Sequence, residues 1–107
     1  MTIPGLDELE LLHSHICRAV GDPKRIQIMY ALDEGPCNVT ALAERLDLPQ
    51  PTVSRHLSVL RQSNLVETRR DGASVVYSLA DPRIISLLNL MRELLRDLIE
   101  RQTTLLE

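Results

Sequence analysis

Apolar residues recur at three- and four-residue spacing over residues 6–20. Leu9, Leu12, Ile16, Ala19 and Val20 would share one face of an amphipathic helix. Gly21 stops that helix. Asp22-Pro23 then restarts the chain as a second one, with Asp as N-cap and Pro at the first helical position. Ile26, Met29 and Tyr30, extended by Ala31 and Leu32, predict its inner face, and Gly35-Pro36 its end. A short third helix follows Asn38, with Val39, Leu42, Ala43 and Leu46 turned inward. Leu48-Pro49-Gln50 is a tight break, and Pro51 opens a fourth helix whose Val53, Leu57 and Leu60 fall on one stripe.

The period then shifts from helical to alternating. Val66-Glu67-Thr68-Arg69 and Ser74-Val75-Val76-Tyr77-Ser78-Leu79 predict two strands, with Asp71-Gly72 as the hairpin turn signal between them. Asp81-Pro82 repeats the cap-plus-proline device ahead of a long last helix. Ile84, Ile85, Leu87, Leu88, Leu90, Met91, Leu94, Leu95, Leu98, Ile99, Leu105 and Leu106 give that helix more apolar surface than one small domain covers. A patch of that size calls for a partner, and a two-fold homodimer is the simplest one. The expected fold is mainly α with a small β-hairpin wing, in the element order of a winged helix-turn-helix. Residues 1–107 form a single domain, with the terminal helices, residues 6–20 and 82–106, as the dimer interface.

Composition narrows the class. The 107 residues include no Phe or Trp and 2 Tyr, so Leu, Ile, Val, Ala and Met supply the packing, as in helical cores. No apolar run approaches the roughly 20 residues that span a bilayer, and the N-terminus lacks the basic flank and apolar stretch of a signal peptide. A cytoplasmic protein is expected, without a membrane partner. The net charge of −3 argues at first against nucleic acid, but its distribution does not. Residues 50–70 hold Arg55, Arg61, Arg69 and Arg70 against the single acid Glu67, so a basic stretch sits on an acidic body.

Those arginines fall where DNA contacts would. With Val53 set at zero and each residue advancing about 100°, Leu57 and Leu60 lie on the buried side. Arg55, Ser58 and Gln62 point the opposite way, with Thr52, Ser54 and Val59 on the flanks. Short hydroxyls permit close approach to a groove, and Arg can make a bidentate contact with guanine or phosphate. Gln50 and Thr52 sit at the helix N-terminus, which reaches deepest. Gln50, Thr52, Ser54, Arg55, Ser58 and Arg61 are therefore the candidate DNA-binding residues of the helix, and Arg69 and Arg70 those of the wing tip. A solvated helix face and a hairpin made soluble by its charges are the plain alternatives. His56, at the edge of the apolar stripe, is expected to pack or bond locally rather than read a base.

Three separated stretches carry a family resemblance. Ala19-Val20-Gly21-Asp22-Pro23-Lys24-Arg25-Ile26-Gln27-Ile28, Gln50-Pro51-Thr52-Val53-Ser54-Arg55-His56-Leu57-Ser58-Val59-Leu60 and Gly72-Ala73-Ser74-Val75-Val76-Tyr77-Ser78-Leu79 resemble the ArsR/SmtB family of winged-helix repressors. The resemblance implies a homodimer joined through its first and last helices on an inverted-repeat operator of double-stranded DNA, released by a ligand or by thiol chemistry.

The family's sensing patterns are broken here. Its zinc sensors pair Asp and His on the last helix, whereas this one offers Glu93, Asp97 and Glu100 and no His. Its metalloid sensors begin the third helix with Cys-x-Cys, whereas Cys37-Asn38-Val39-Thr40 holds one Cys. Three readings of the cysteines stand side by side. His13 and Cys17, four apart on one helix face, could supply two ligands to a metal or metalloid inducer. Cys17 and Cys37 could form a thiol switch. Within one subunit, however, a second helix rising about 18 Å separates them, and a disulfide needs Cα atoms within about 7 Å. Or both are ordinary free thiols of a reducing compartment. No cofactor is otherwise called for.

An enzyme is set aside, since no Gly-rich phosphate loop, Ser/His/Asp set or paired carboxylates stand in the sequence. A repressor controlled by its own level, without a ligand, and a winged helix used for protein contacts remain as alternatives. The second would require an apolar or acidic face where Thr52, Ser54, Arg55 and Ser58 stand.

Overall fold

The computed structural model describes the backbone of residues 2–106 and the side chains of residues 2–103. The first helical segment comprises α1 (Leu6–Leu12), a π-helical turn (His13–Cys17) and α2 (Arg18–Val20). Gly21 ends it as expected. The Asp22 carboxylate caps α3 (Pro23–Asp33) by accepting from the Lys24 and Arg25 amides at 2.8 and 3.4 Å. Of the expected inner face, Met29, Ala31 and Leu32 are buried, while Ile26 and Tyr30 are half-buried. Ile28, which the sequence pattern did not single out, is fully buried. A helix with core on more than one side escapes a single-stripe reading.

One element was missing from the sequence pattern. Cys37 and Asn38 form a short strand, β1 (Cys37–Asn38), paired antiparallel to β3 (Ser74–Leu79), which pairs in turn with β2 (Val66–Asp71). The wing is therefore the outer part of a three-stranded sheet in the order β1-β3-β2. Two residues show no alternation, so β1 could be found only through its partners, Tyr77 and Val76. Asn38 also accepts from the Ala41 amide at 2.8 Å and so caps α4 (Val39–Leu46). Asp47, at φ 54°, ends α4 in the left-handed conformation, and Leu48 bonds back to the Ala43 carbonyl.

The hairpin loop also lies one residue later than its sequence signal. Asp71 pairs with Ser74, leaving Gly72 and Ala73 as the loop. Gly72 takes φ +64°, the conformation that a two-residue turn with glycine at its first central position requires.

The core gathers α5 (Gln50–Gln62) against α3 and α4, through Val53, Leu57 and Leu60 at 0% exposure beside Ile28, Met29 and Leu42. Among the described residues, the first turns of α6 (Arg83–Leu106) alone join it, through Ile84, Ile85 and Leu88. Leu90, Leu94, Leu95, Leu98 and Ile99 are exposed, together with Leu6, Leu11 and Leu12 of α1. The side chains of Leu105 and Leu106 lie outside the described residues. The Cα radius of gyration is 16.5 Å, against about 13 Å for a compact chain of this length. The excess fits a helix of about 36 Å that runs beyond its own core.

Candidate nucleic-acid interface

Residues of α5 divide by side, as the helical wheel requires. Ser54, Arg55, Ser58, Arg61 and Gln62 are exposed, Thr52 and Val59 are half-buried, and Val53, Leu57 and Leu60 are sealed. Helix α5 begins one residue earlier than its proline suggested, at Gln50, with Pro49 as N-cap. Gln50 is exposed at that end, where the first amides of the helix have no intrahelical acceptors and favour an anion such as phosphate. Arg69 and Arg70 are exposed in the last residues of β2, beside the Gly72–Ala73 loop. All eight sequence-selected residues thus lie on two elements, α5 and the wing, with seven of them open to solvent and Thr52 partly covered.

His56 faces the other way. It is 7% exposed and sits among groups of α3. Arg25 Nη1 lies 3.3 Å from His56 Nδ1, and the Asp22 carboxylate lies 4.0 Å from Nε2. A guanidinium can only donate, so Nδ1 must accept and Nε2 must carry the proton. Burial lowers the His56 pKa from its ordinary value; the Asp22 charge opposes this, and the charges of Arg25, Arg55 and Lys24 reinforce it. Asp22 is also lowered: burial raises it, but the Lys24 and Arg25 amides and the charges of His56 and Arg25 outweigh that. The ring is therefore neutral at neutral pH and packs, as its place beside the apolar stripe suggested.

Arg25 was not a candidate from sequence, although it stands in one of the resembling stretches. Its Nε and Nη2 donate to the carbonyls of Ala19 and Arg18 at 3.2 and 2.6 Å, so it closes the C-terminal end of the first helical segment. Nothing in residue spacing would pair Arg25 with a histidine 31 positions on. A recognisable signal was the buried edge assigned to His56, which demanded some donor.

The sensing candidates are dispersed. Cys17 and Cys37 are free thiols, the first exposed and the second half-buried on β1. His13 is exposed at the start of the π-helical turn that ends in Cys17. Among the described residues no three of His, Cys, Asp and Glu gather as a set that could hold a metal ion. No helix among them is long and apolar enough to cross a membrane.

Residues 22–68 match the family model described as bacterial regulatory protein, arsR family. The crystal structure of NolR from Sinorhizobium fredii superposes with a TM-score of 0.76 at 33% identity, covering 88% of this chain and 96% of that one. The chain belongs to the ArsR family. Within it, the chain is similar to the HTH-type transcriptional regulator KmtR of Mycobacterium tuberculosis, 36% identical over 81 residues. That alignment takes in 76% of this chain and 62% of KmtR, so the chain spans under two thirds of that relative's length. It also resembles the homodimeric winged helix-turn-helix DNA-binding domain of Mycobacterium bovis Mb0332, a possible ArsR-family regulator. There the TM-score is 0.75 at 25% identity, over 91% of this chain and 92% of that one. The ArsR-family match covers both the capped start of α3 and the whole of α5, the two elements that meet at Arg25 and His56.

Proposed function

We propose that this ArsR-family protein is a DNA-binding transcriptional repressor that works in the cytoplasm as a homodimer on an inverted-repeat operator. In this reading α5 is the recognition helix and lies in the major groove. Gln50, Thr52 and Ser54 stand at its deep end, with Arg55, Ser58 and Arg61 along the exposed side. Arg69 and Arg70 reach phosphates or the adjoining minor groove from the wing. The observation that carries the proposal is the division of α5: the side opposite the sealed apolar stripe is small, polar and basic. A protein-contact module would present apolar or acidic groups there.

The homodimer rests on the uncovered leucines of α6 and α1. Paired across a two-fold axis they would bury each other and place two recognition helices at a fixed spacing. Release by a small inducer or by thiol modification completes the reading. Within one chain Cys17 is exposed and Cys37 is half-buried on a strand, so both are thiols to be tested. A metal or metalloid ion at His13 and Cys17 is the alternative inducer, and a repressor without any ligand is the simplest case.

The test is the affinity of the purified protein for its own upstream DNA, measured in reductant and again with oxidant, persulfide, zinc and arsenite. Tight binding lost in Arg55→Ala, with the oligomer unchanged, is the expected result. No binding by the reduced wild type at low salt would put the protein-contact reading in its place. Repeating each condition on Cys17→Ser and Cys37→Ser assigns or removes the thiols.

A further inference from the structure

We infer that Arg25 and His56 are positioning residues for DNA binding: one guanidinium fixes the recognition helix against the carbonyl end of the first helical segment. The inference rests on α5 being the recognition helix. Arg25 lies at the junction of three elements. Its backbone amide joins the Asp22 cap at the start of α3. Two of its side-chain nitrogens hold the Arg18 and Ala19 carbonyls, and the third meets His56 Nδ1. These carbonyls are at a helix end, where they lack intrahelical donors and carry partial negative charge. A bound guanidinium is therefore well held, and its remaining N–H has a fixed direction.

That direction matters because of what flanks His56. Ser54 and Arg55 precede it in α5 and Ser58 follows, all on the exposed side, so a shift of the ring moves the groove-facing groups with it. The apolar stripe alone fixes the depth of α5 but grips less well against rotation or sliding along it. A directional hydrogen bond to a charged donor supplies that restraint. The charges that act on the ring are those of Asp22 at the cap of α3, Lys24 and Arg25 in α3, and Arg55 on the exposed side of α5. Of these only Asp22 favours the imidazolium, and it lies 4.0 Å away. A proton on Nδ1 would face an N–H of Arg25, and the contact would open. Acid therefore releases α5 from its register, by chemistry that needs neither a metal nor a thiol.

The decisive variants are His56→Asn, whose amide oxygen can accept from Arg25 where Nδ1 does but does not titrate, and His56→Leu, which keeps the packing and loses the acceptor. Operator affinity of the dimer is measured from about pH 7.5 to about pH 5.5, the range in which histidine is the side chain expected to change charge. We expect the wild type to lose about tenfold in affinity across that range, His56→Asn to stay flat, and His56→Leu to bind about tenfold more weakly throughout. Thermal unfolding and sedimentation accompany each variant, because a merely structural role would lower stability while leaving the affinity of the folded dimer unchanged. A His56→Asn profile that follows the wild type, or wild-type affinity in His56→Leu, overturns the inference. Arg55→Ala keeps the two claims apart, since its loss of binding beside an unaffected His56→Leu would leave DNA binding standing and the positioning pair refuted. The ring nitrogens decide independently of DNA. Nitrogen-15 shifts that report an unprotonated Nδ1 at neutral pH support the pair, and a protonated Nδ1 overturns it.

Discussion

Single side chains in this protein do separable jobs, and substitution can tell them apart. Leu57 has no exposed surface and belongs to the apolar core, so Leu57→Ala should cost about 2–5 kcal/mol in chemical unfolding. Arg55, on the opposite side of the same helix, should behave in reverse. Arg55→Ala should leave the unfolding midpoint nearly unchanged and weaken operator binding by about 1–3 kcal/mol in a fluorescence titration. The His56 ring adds a pH dependence of fixed sign. Its pKa lies below the ordinary 6.5 in the folded chain, so its contribution to stability is complete above that value. It is lost as the pH falls through the folded value, because the unfolded chain then binds the proton more readily. Melting temperatures followed downward from neutral pH should fall, and less so in His56→Asn. The two sides of α5 were readable in advance because helical period and residue polarity agree there. Arg25 was not, because its partners are two backbone carbonyls and a distant ring, and no pattern along the chain encodes them.

Among the elements, those with strong local chemistry were found correctly and the short one was not. The Asp22-Pro23 start of α3 and the Asn38 start of α4 both appear as capped helices, since a side-chain acceptor and a proline specify a helix start from sequence alone. The last helix behaves likewise: Asp81 accepts from the Arg83 side chain and amide, which pulls its carboxyl down to about 2. Strand β1 escaped notice because it exists only through β3. The wing was identified with its loop displaced by one residue, since Asp71 is drawn into the strand by pairing with Ser74. If the wing lies on phosphate, the double substitution Arg69→Ala with Arg70→Ala should reduce the slope of log affinity against log salt by about 2. An unchanged slope would remove the wing from the interface.

The molecule as a whole is longer than its core warrants, and α6 is the reason. Leu94 at 53% and Leu98 at 49% exposure belong to the uncovered stretch. If a second copy covers it, Leu94→Glu with Leu98→Glu should yield a monomer in sedimentation and weaken operator binding severely. A dimeric double variant would show that another surface makes the contact. The apolar excess of this helix was plain in the sequence, because twelve aliphatic positions in one segment exceed what a small domain can enclose. Which of them face inward was not, since Ile84, Ile85 and Leu88 carry the same character as the exposed ones.

Every described side chain of α6 from Arg96 to Thr103 is exposed. An isolated helix of that length is marginal in water, so these last turns depend on whatever meets them. If a second copy meets them, folding of the tail and association become one equilibrium, and the amount of folded protein depends on how much protein is present. A cell that halves its supply of such a chain loses more than half of the assembled form once the supply nears the dissociation constant. Gene dosage and growth dilution would thereby act as inputs in their own right, with a steeper response than any single binding site gives.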